Sequence, residues 1–254
     1  MTTLFSREKG KGKPILLIHG FPFHQEIWDG YVERLSGEFR VITIDLPGFG
    51  KSGPLKSPFT LDQVASTLLD FLGKNDLKKV NVVGHSLGGY VALAMVKNSP
   101  ELFASLVLFH STAYADSAEK KGSRSKVVEF VQRNGALPFA SGFIPPLFFN
   151  PTHPAIERVK QIASNATSEA VIGYTLAMRD RPDHTKTLEV FKNPTLFLAG
   201  KNDPGIPVDS IIKQAAFCQK AEIHIFENVS HMGMLEKPEG TASKIKDFLS
   251  KHNV

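Results

Sequence analysis

Three side chains in this sequence have the chemistry of a proton relay to a nucleophile: Ser86, Asp203 and His231. A serine hydroxyl attacks poorly at neutral pH until a base takes its proton, and an imidazole does this best when a carboxylate fixes its tautomer. The three occur in the order serine, aspartate, histidine, and each follows a run that reads as a core strand: Lys79 to Gly84, Pro194 to Ala199 and Glu222 to Phe226. Strands that run parallel end at one edge of a sheet, so residues far apart in sequence meet there. Among the nine histidines, His224 lies mid-strand and His231 is the natural base. No cluster of histidine and acid has the spacing of a metal site, so no metal or other cofactor is expected.

The elements around Ser86 explain how it could be presented. Val80, Val82 and Val83 suit a covered parallel strand, whereas Leu87, Tyr90, Val91, Ala94 and Met95 recur at helical spacing, so the periodicity changes at the serine. A strand turning straight into a helix strains its corner residue and presses the flanking backbones together, which calls for the small residues Gly84 and Gly88. The helix that follows aims its free N-terminal amides and positive dipole end at the same point.

This strand, corner and helix resembles the nucleophile elbow of the α/β-hydrolase family. The resemblance extends over nearly the whole chain, from His19-Gly20-Phe21-Pro22-Phe23 through Asp45-Leu-Pro-Gly-Phe-Gly-Lys-Ser52 to Glu236-Lys237-Pro238. It implies an α/β fold, a mostly parallel twisted sheet flanked by helices with an inserted helical cap. It also implies an oxyanion hole made by the backbone N–H groups of Phe21 and Leu87, and it assigns His19 and His85 to structural positions of the family's motifs. Asp203 is the expected acid. Asp116 and Asp209 are the alternatives, because some relatives carry the carboxylate after an earlier strand. A serine at the elbow, where dehalogenases and epoxide hydrolases of this fold have aspartate, implies acyl chemistry. The expectation is a serine hydrolase acting through an acyl-enzyme on a small, largely apolar carboxylic ester or lactone. Hydrolysis of a thioester or carbon–carbon bond by the same triad, or a slow ligand-binding receptor, are the alternatives.

Elsewhere the sequence alternates strands and helices. Strands are expected at Leu4–Glu8, Pro14–Ile18, Arg40–Asp45 and Leu106–His110, giving a sheet of fewer than eight strands. Thr60-Leu-Asp-Gln63 reads as a capping box opening a helix that Gly73 closes. From Ser111 to about Thr187 the alternation stops and helical patterns appear at 123–134, 154–165 and 168–180. The division is therefore 1–111 core, 112–187 helical cap and 188–254 core. The cap holds Phe130, Phe139, Phe143, Phe148 and Phe149, more than short helices need for their own packing. Phe139, Phe143 and Phe148, with Phe23 and His110 near strand ends, are the candidate substrate-pocket residues; the alternatives are that all five cap phenylalanines form the cap-to-core interface and that His110 is a hydrogen-bonded structural histidine, the preferred reading for it. Arg179-Asp-Arg-Pro-Asp183 resembles a segment of enol-lactone hydrolases.

Composition narrows the setting. Hydrophobic residues make up 42% of 254 and charged residues 22%, ordinary for a globular chain, and no apolar run has membrane-spanning length. The net charge of +5 and pI near 9.2 arise from scattered lysines, with Lys74–Lys79 and Lys120–Lys126 read as solvated surface, so no nucleic-acid partner is expected. The single cysteine, Cys218, reads as helix packing and excludes an internal disulfide. The polar, basic stretch Met1–Lys13 lacks a secretion signal, so the expected location is cytoplasmic and the expected partner a small molecule. The sequence assigns no oligomeric state.

Overall fold

The computed structural model describes residues 2–252 and 254; Met1 and Asn253, the former part of the polar N-terminal stretch, lie outside the described residues. The chain begins with β1 (Ser6–Lys9), β2 (Pro14–Ile18), α1 (Asp29–Leu35), β3 (Arg40–Ile44) and α2 (Leu61–Lys74). It continues with β4 (Val80–His85), α3 (Leu87–Asn98) and β5 (Phe103–Phe109). Five helices follow: α4 (Ala118–Asn134), α5 (Ala136–Phe143), α6 (Ala155–Ala163), α7 (Ser168–Arg179) and α8 (Thr185–Val190). The chain then returns to the sheet with β6 (Thr195–Gly200), α9 (Val208–Ala215), β7 (Ala221–Phe226), α10 (Gly233–Glu236) and α11 (Pro238–Lys251).

The strands form one seven-stranded sheet in the order β1-β3-β2-β4-β5-β6-β7, with β1 antiparallel to β3 and every other pair parallel. The order changes direction at β2 and β4, which pair with Ile18 opposite Gly84. A crevice opens beyond the carboxyl ends of parallel strands at such a reversal. That register sets the loop after β2 beside the corner after β4.

Alternation along the strands divides the core. Leu16 and Ile18 of β2 face one side with Val82 and Leu108, packing on α2 and α3, while Ile15 and Leu17 face the other with Val83 and Val107, packing on α1 and α11. Both faces are covered, which is why these strands read as unbroken apolar runs. Burying one such leucine contributes roughly 2 kcal/mol. The helices between β5 and β6 extend both clusters: Tyr174 and Met178 of α7 join the first, Ala140 of α5 and Val159 of α6 the second.

Several boundaries differ from the sequence expectation, each for a local reason. α2 runs past Gly73 to Lys74, although its capping box between Thr60 and Gln63 is as expected. α4 starts at Ala118 because Ser117 caps it through Lys120 N, extending the helix through a polar turn with no apolar period. α5 was expected as a connecting stretch; its Pro138 occupies the first turn, where a backbone N–H has no helical partner to lose. α8 and α10 are too short to show a period. α9 stops at Ala215, so Cys218 sits half-buried in the turn beyond it and not on a helix face; burial pushes its thiol up to about 11.

Candidate active site

Ser86 occupies the corner between β4 and α3 with φ 52° and ψ −113°, a conformation that costs a non-glycine residue of order 1–3 kcal/mol. Its N–H donates to Phe109 O at 2.9 Å, tying the corner to β5. The flanking glycines are required by contact. A Cβ on Gly84 would lie 2.4 Å from Gly88 O, and one on Gly88 would lie 2.3 Å from Ile18 O.

His231, in the loop after β7, has Nε2 2.9 Å from Ser86 Oγ and Nδ1 2.7 Å from Asp203 Oδ2. Asp203 follows β6, and its other oxygen accepts from the amides of Gly205 (2.8 Å) and Ile206 (3.1 Å). The carboxylate therefore sits in a loop of its own making, buried and aimed at the imidazole. Burial raises its pKa, but the charge of His231 and the hydrogen bonds from His110 and His231 outweigh that. The carboxyl is held far below the usual range.

The loop carrying His231 is fixed from three sides. Its N–H donates to Leu147 O at 2.9 Å, its carbonyl accepts from His85 Nε2 at 2.9 Å, and Glu236 Oε2 accepts from the amides of Ser230 and Met232 on either side. Glu236 is a supporting residue that sequence reasoning named only within a motif. Its position two residues before Pro238 was the signal available. His19, fully buried and brought down to about 4 by burial, accepts from Leu46 N through Nε2 and thereby joins the loop after β2 to that after β3. Asp45 accepts from Gln25 N and Lys51 N, so it braces a neighbouring segment as well as its own turn.

Phe21 and Leu87 lie where the register of β2 and β4 puts them. Leu87 is the first residue of α3, and neither backbone N–H donates to a protein acceptor among the described residues. The Phe21 ring packs against Phe139 and Phe143 of α5, with centroids 5.9 and 6.0 Å away.

A cavity of about 560 Å³ opens above Ser86 and His231, walled by Phe21, Phe139, Phe143, Leu147, Met178 and Ile206. Three candidate pocket residues are not in its lining. Phe23 is fully buried in the α1 side of the core, and Phe148 stacks on His153 with centroids 5.1 Å apart. Phe130 and Phe149 are exposed at the surface, 43% and 46%. His110 is fully buried beneath the site: Nδ1 lies 3.2 Å from Asp203 Oδ2, and Nε2 accepts from Gly233 N at 3.2 Å. Nδ1 also lies 3.2 Å from Gly200 N, so a neutral ring protonated on Nδ1 suits Asp203 and Gly233 and leaves Gly200 N without that acceptor. Burial keeps it neutral, lowering its pKa against the raising effect of Asp203.

His110, Asp203 and His231 offer ligand-type atoms all within 4.8 Å of one another, a convergence that linear spacing could not show because the three end successive strands. Their facing atoms already bond each other through Asp203 Oδ2. The alternative acids lie elsewhere. Asp116 is held by Arg124 and Arg181, and Asp209 is exposed in the first turn of α9. Arg181 is buried, while Arg179 pairs with Asp180 at the surface.

The chain belongs to the alpha/beta hydrolase family, whose model matches residues 15–244. It is similar to a thermophilic esterase from Thermogutta terrifontis, solved with malate bound: 34% identity, 99% of this chain and 94% of that chain covered, TM-score 0.93. It is 28% identical over 255 residues to a 2-hydroxy-6-oxo-6-(2'-aminophenyl)hexa-2,4-dienoic acid hydrolase from Metapseudomonas resinovorans, covering 96% of this chain and 86% of that protein. It is also 28% identical over 247 residues to the dihydrolipoyllysine-residue acetyltransferase component of the acetoin cleaving system of Pseudomonas putida, covering 95% of this chain but 64% of that protein. Among the first curated relatives it matches, the chain spans between about half and two thirds of their length.

Proposed function

We propose that this chain is a serine hydrolase that cleaves a small, largely apolar carboxylic ester or lactone through an acyl-enzyme, with residues 112–187 acting as a cap over the reacting centre. The observation that carries this reading is the continuous line from Asp203 through His231 to Ser86, at 2.7 and 2.9 Å, opening into an apolar cavity. Ser86 Oγ attacks the carbonyl carbon as its proton passes to His231 Nε2. The imidazolium is stabilised by Asp203 and then protonates the leaving alcohol. Water, deprotonated by the same imidazole, attacks the acyl-enzyme, and Ser86 is released. The Phe21 and Leu87 amides hold the oxyanion in both steps, each contributing about 3 kcal/mol to lowering the barrier. Similarity to the Thermogutta esterase supports an ester as substrate.

A second reading, cleavage of a vinylogous diketone by the same triad, is supported by similarity to the Metapseudomonas dienoic-acid hydrolase. A panel of esters, thioesters and vinylogous diketones separates the two. With 4-nitrophenyl butyrate, Ser86→Ala is expected to lower kcat at least about a thousandfold. Near wild-type turnover in that variant would remove the assignment, and negligible turnover by the wild type on every substrate would favour a ligand-binding receptor.

A further inference from the structure

The N-terminal half of α4 is the most polar part of the region between β5 and β6, and its positive charge reads in sequence as solvated surface. The structure sets one of its faces along the mouth of the cavity, where Lys120 and Ser123 stay exposed and Arg124 is half-buried. Lys120, Ser123, Arg124 and Val127 all line the cavity above Ser86, and their spacing of three, four and seven residues is that of a single helix face. That face changes along its length from cationic to apolar, since Val131, one turn further, is buried in the core.

The cations on and behind this wall differ in their partners. Arg181, 5% exposed, lies over the Tyr90 ring at 4.0 Å and pairs with Asp116 at 2.8 Å. It matches the one carboxylate that Arg124 also contacts. Asp203, the acid that lines the cavity, already accepts from His110, His231 and the amides of Gly205 and Ile206. Lys120 has no carboxylate within ion-pair distance among the described residues, and its Nζ donates only to Gly205 O at 2.8 Å. A cation in the first turn of a helix is disfavoured by the dipole, so nothing in α4 itself calls for a lysine there. Partial burial lowers the pKa of its ammonium, and Arg181 and Arg124 lower it further against Asp116 and Asp203.

We propose that Lys120 and Arg124 form an anion subsite at the mouth of the cavity, and that the ester cleaved at Ser86 retains a second carboxylate, as in a half-ester of a dicarboxylic acid. The apolar wall of Phe139, Phe143 and Met178 takes the methylene chain, and the two cations take its far end. A carboxylate placed there completes the charge balance of the wall and gives Lys120 an acceptor for its remaining donors. The proposal rests on the hydrolase reading above.

The test compares mono(4-nitrophenyl) adipate with 4-nitrophenyl hexanoate, which differ only in the terminal carboxylate. Wild-type enzyme is expected to show kcat/KM for the adipate at least equal to that for the hexanoate, with the ratio falling as salt is raised. Lys120→Glu is expected to lower that ratio about tenfold or more, whereas Lys121→Glu, an exposed neighbour that does not line the cavity, leaves it in place. An equal ratio in wild type and Lys120→Glu would overturn the subsite and leave Lys120 as a tie between α4 and Gly205. Failure to cleave either ester would count against the hydrolase reading instead. In that event calorimetric titration with monomethyl adipate still decides: weaker binding to Lys120→Glu supports the subsite, and equal binding overturns it.

Discussion

His110 lies beneath the cavity and reaches it only through Asp203. It presents its Nδ1 N–H to Asp203, and the contacts of Gly233 N with Nε2 and of Gly200 N with Nδ1 fix the ring's orientation. That N–H takes up part of the carboxylate's charge. His110→Phe removes that donor from Asp203, and kcat/KM is expected to fall about tenfold. Steady-state ester kinetics check this, and an unchanged kcat/KM would reduce His110 to packing. The sequence placed His110 at the correct strand end and favoured a hydrogen-bonded structural role over substrate contact, without showing its partners. Position along a strand gives the edge of the sheet, but whether a side chain points up into the crevice or sideways under the next loop depends on φ, here 48°. Phe23 and Phe148 illustrate the same gap, since an aromatic residue near a site and one packed behind it look alike in one dimension.

Among the elements, the elbow was the most legible, because its requirements are steric and local. Gly84, Gly88 and the switch from strand to helix period follow from a corner that brings backbones within van der Waals contact. Gly88→Ala is expected to destabilise the fold by about 3 kcal/mol and to abolish activity, since its Cβ meets the β2 backbone and no flexible side chain can move aside. Urea unfolding of the variant measures this, and a change below about 0.5 kcal/mol would show that β2 can yield. The helices between β5 and β6 were less legible. The face of α4 along the cavity is cationic where a core-facing helix is apolar, so its hydrophobic period is faint, and α5 begins with a proline-containing turn.

At the scale of the whole molecule, fully buried histidines couple the fold to pH. His19, His85 and His110 are each fully buried, and burial lowers each pKa, that of His19 to about 4. An unfolded histidine titrates near 6.5, so the unfolded chain binds protons that the folded chain refuses. Their contribution is complete above about pH 6.5 and is lost as pH falls toward 4. Below that, the depressed carboxyl of Asp203 adds a loss in the same direction. Urea midpoints are expected to be level from pH 8 to 7 and to fall steadily between about 6.5 and 4.5. A midpoint constant down to pH 5 would contradict this. The overall architecture was readable because apolar runs, turn residues and their order are enough to define a covered parallel sheet; the polar edge strand β1, Ser6–Lys9, lies two residues beyond the start expected for it because its place is set by pairing with β3 and not by burial.

The central claim is that β4, β6 and β7 deliver one activated nucleophile, and covalent capture tests it most directly. Incubation with a 4-nitrophenyl alkylphosphonate, followed by peptide mass analysis, is expected to show one phosphonyl group per chain, attached to Ser86. Labelling should be abolished in Ser86→Ala and strongly slowed in His231→Gln. Ester turnover with Ser86 unlabelled, or a label carried elsewhere at the same rate in Ser86→Ala, would contradict the account.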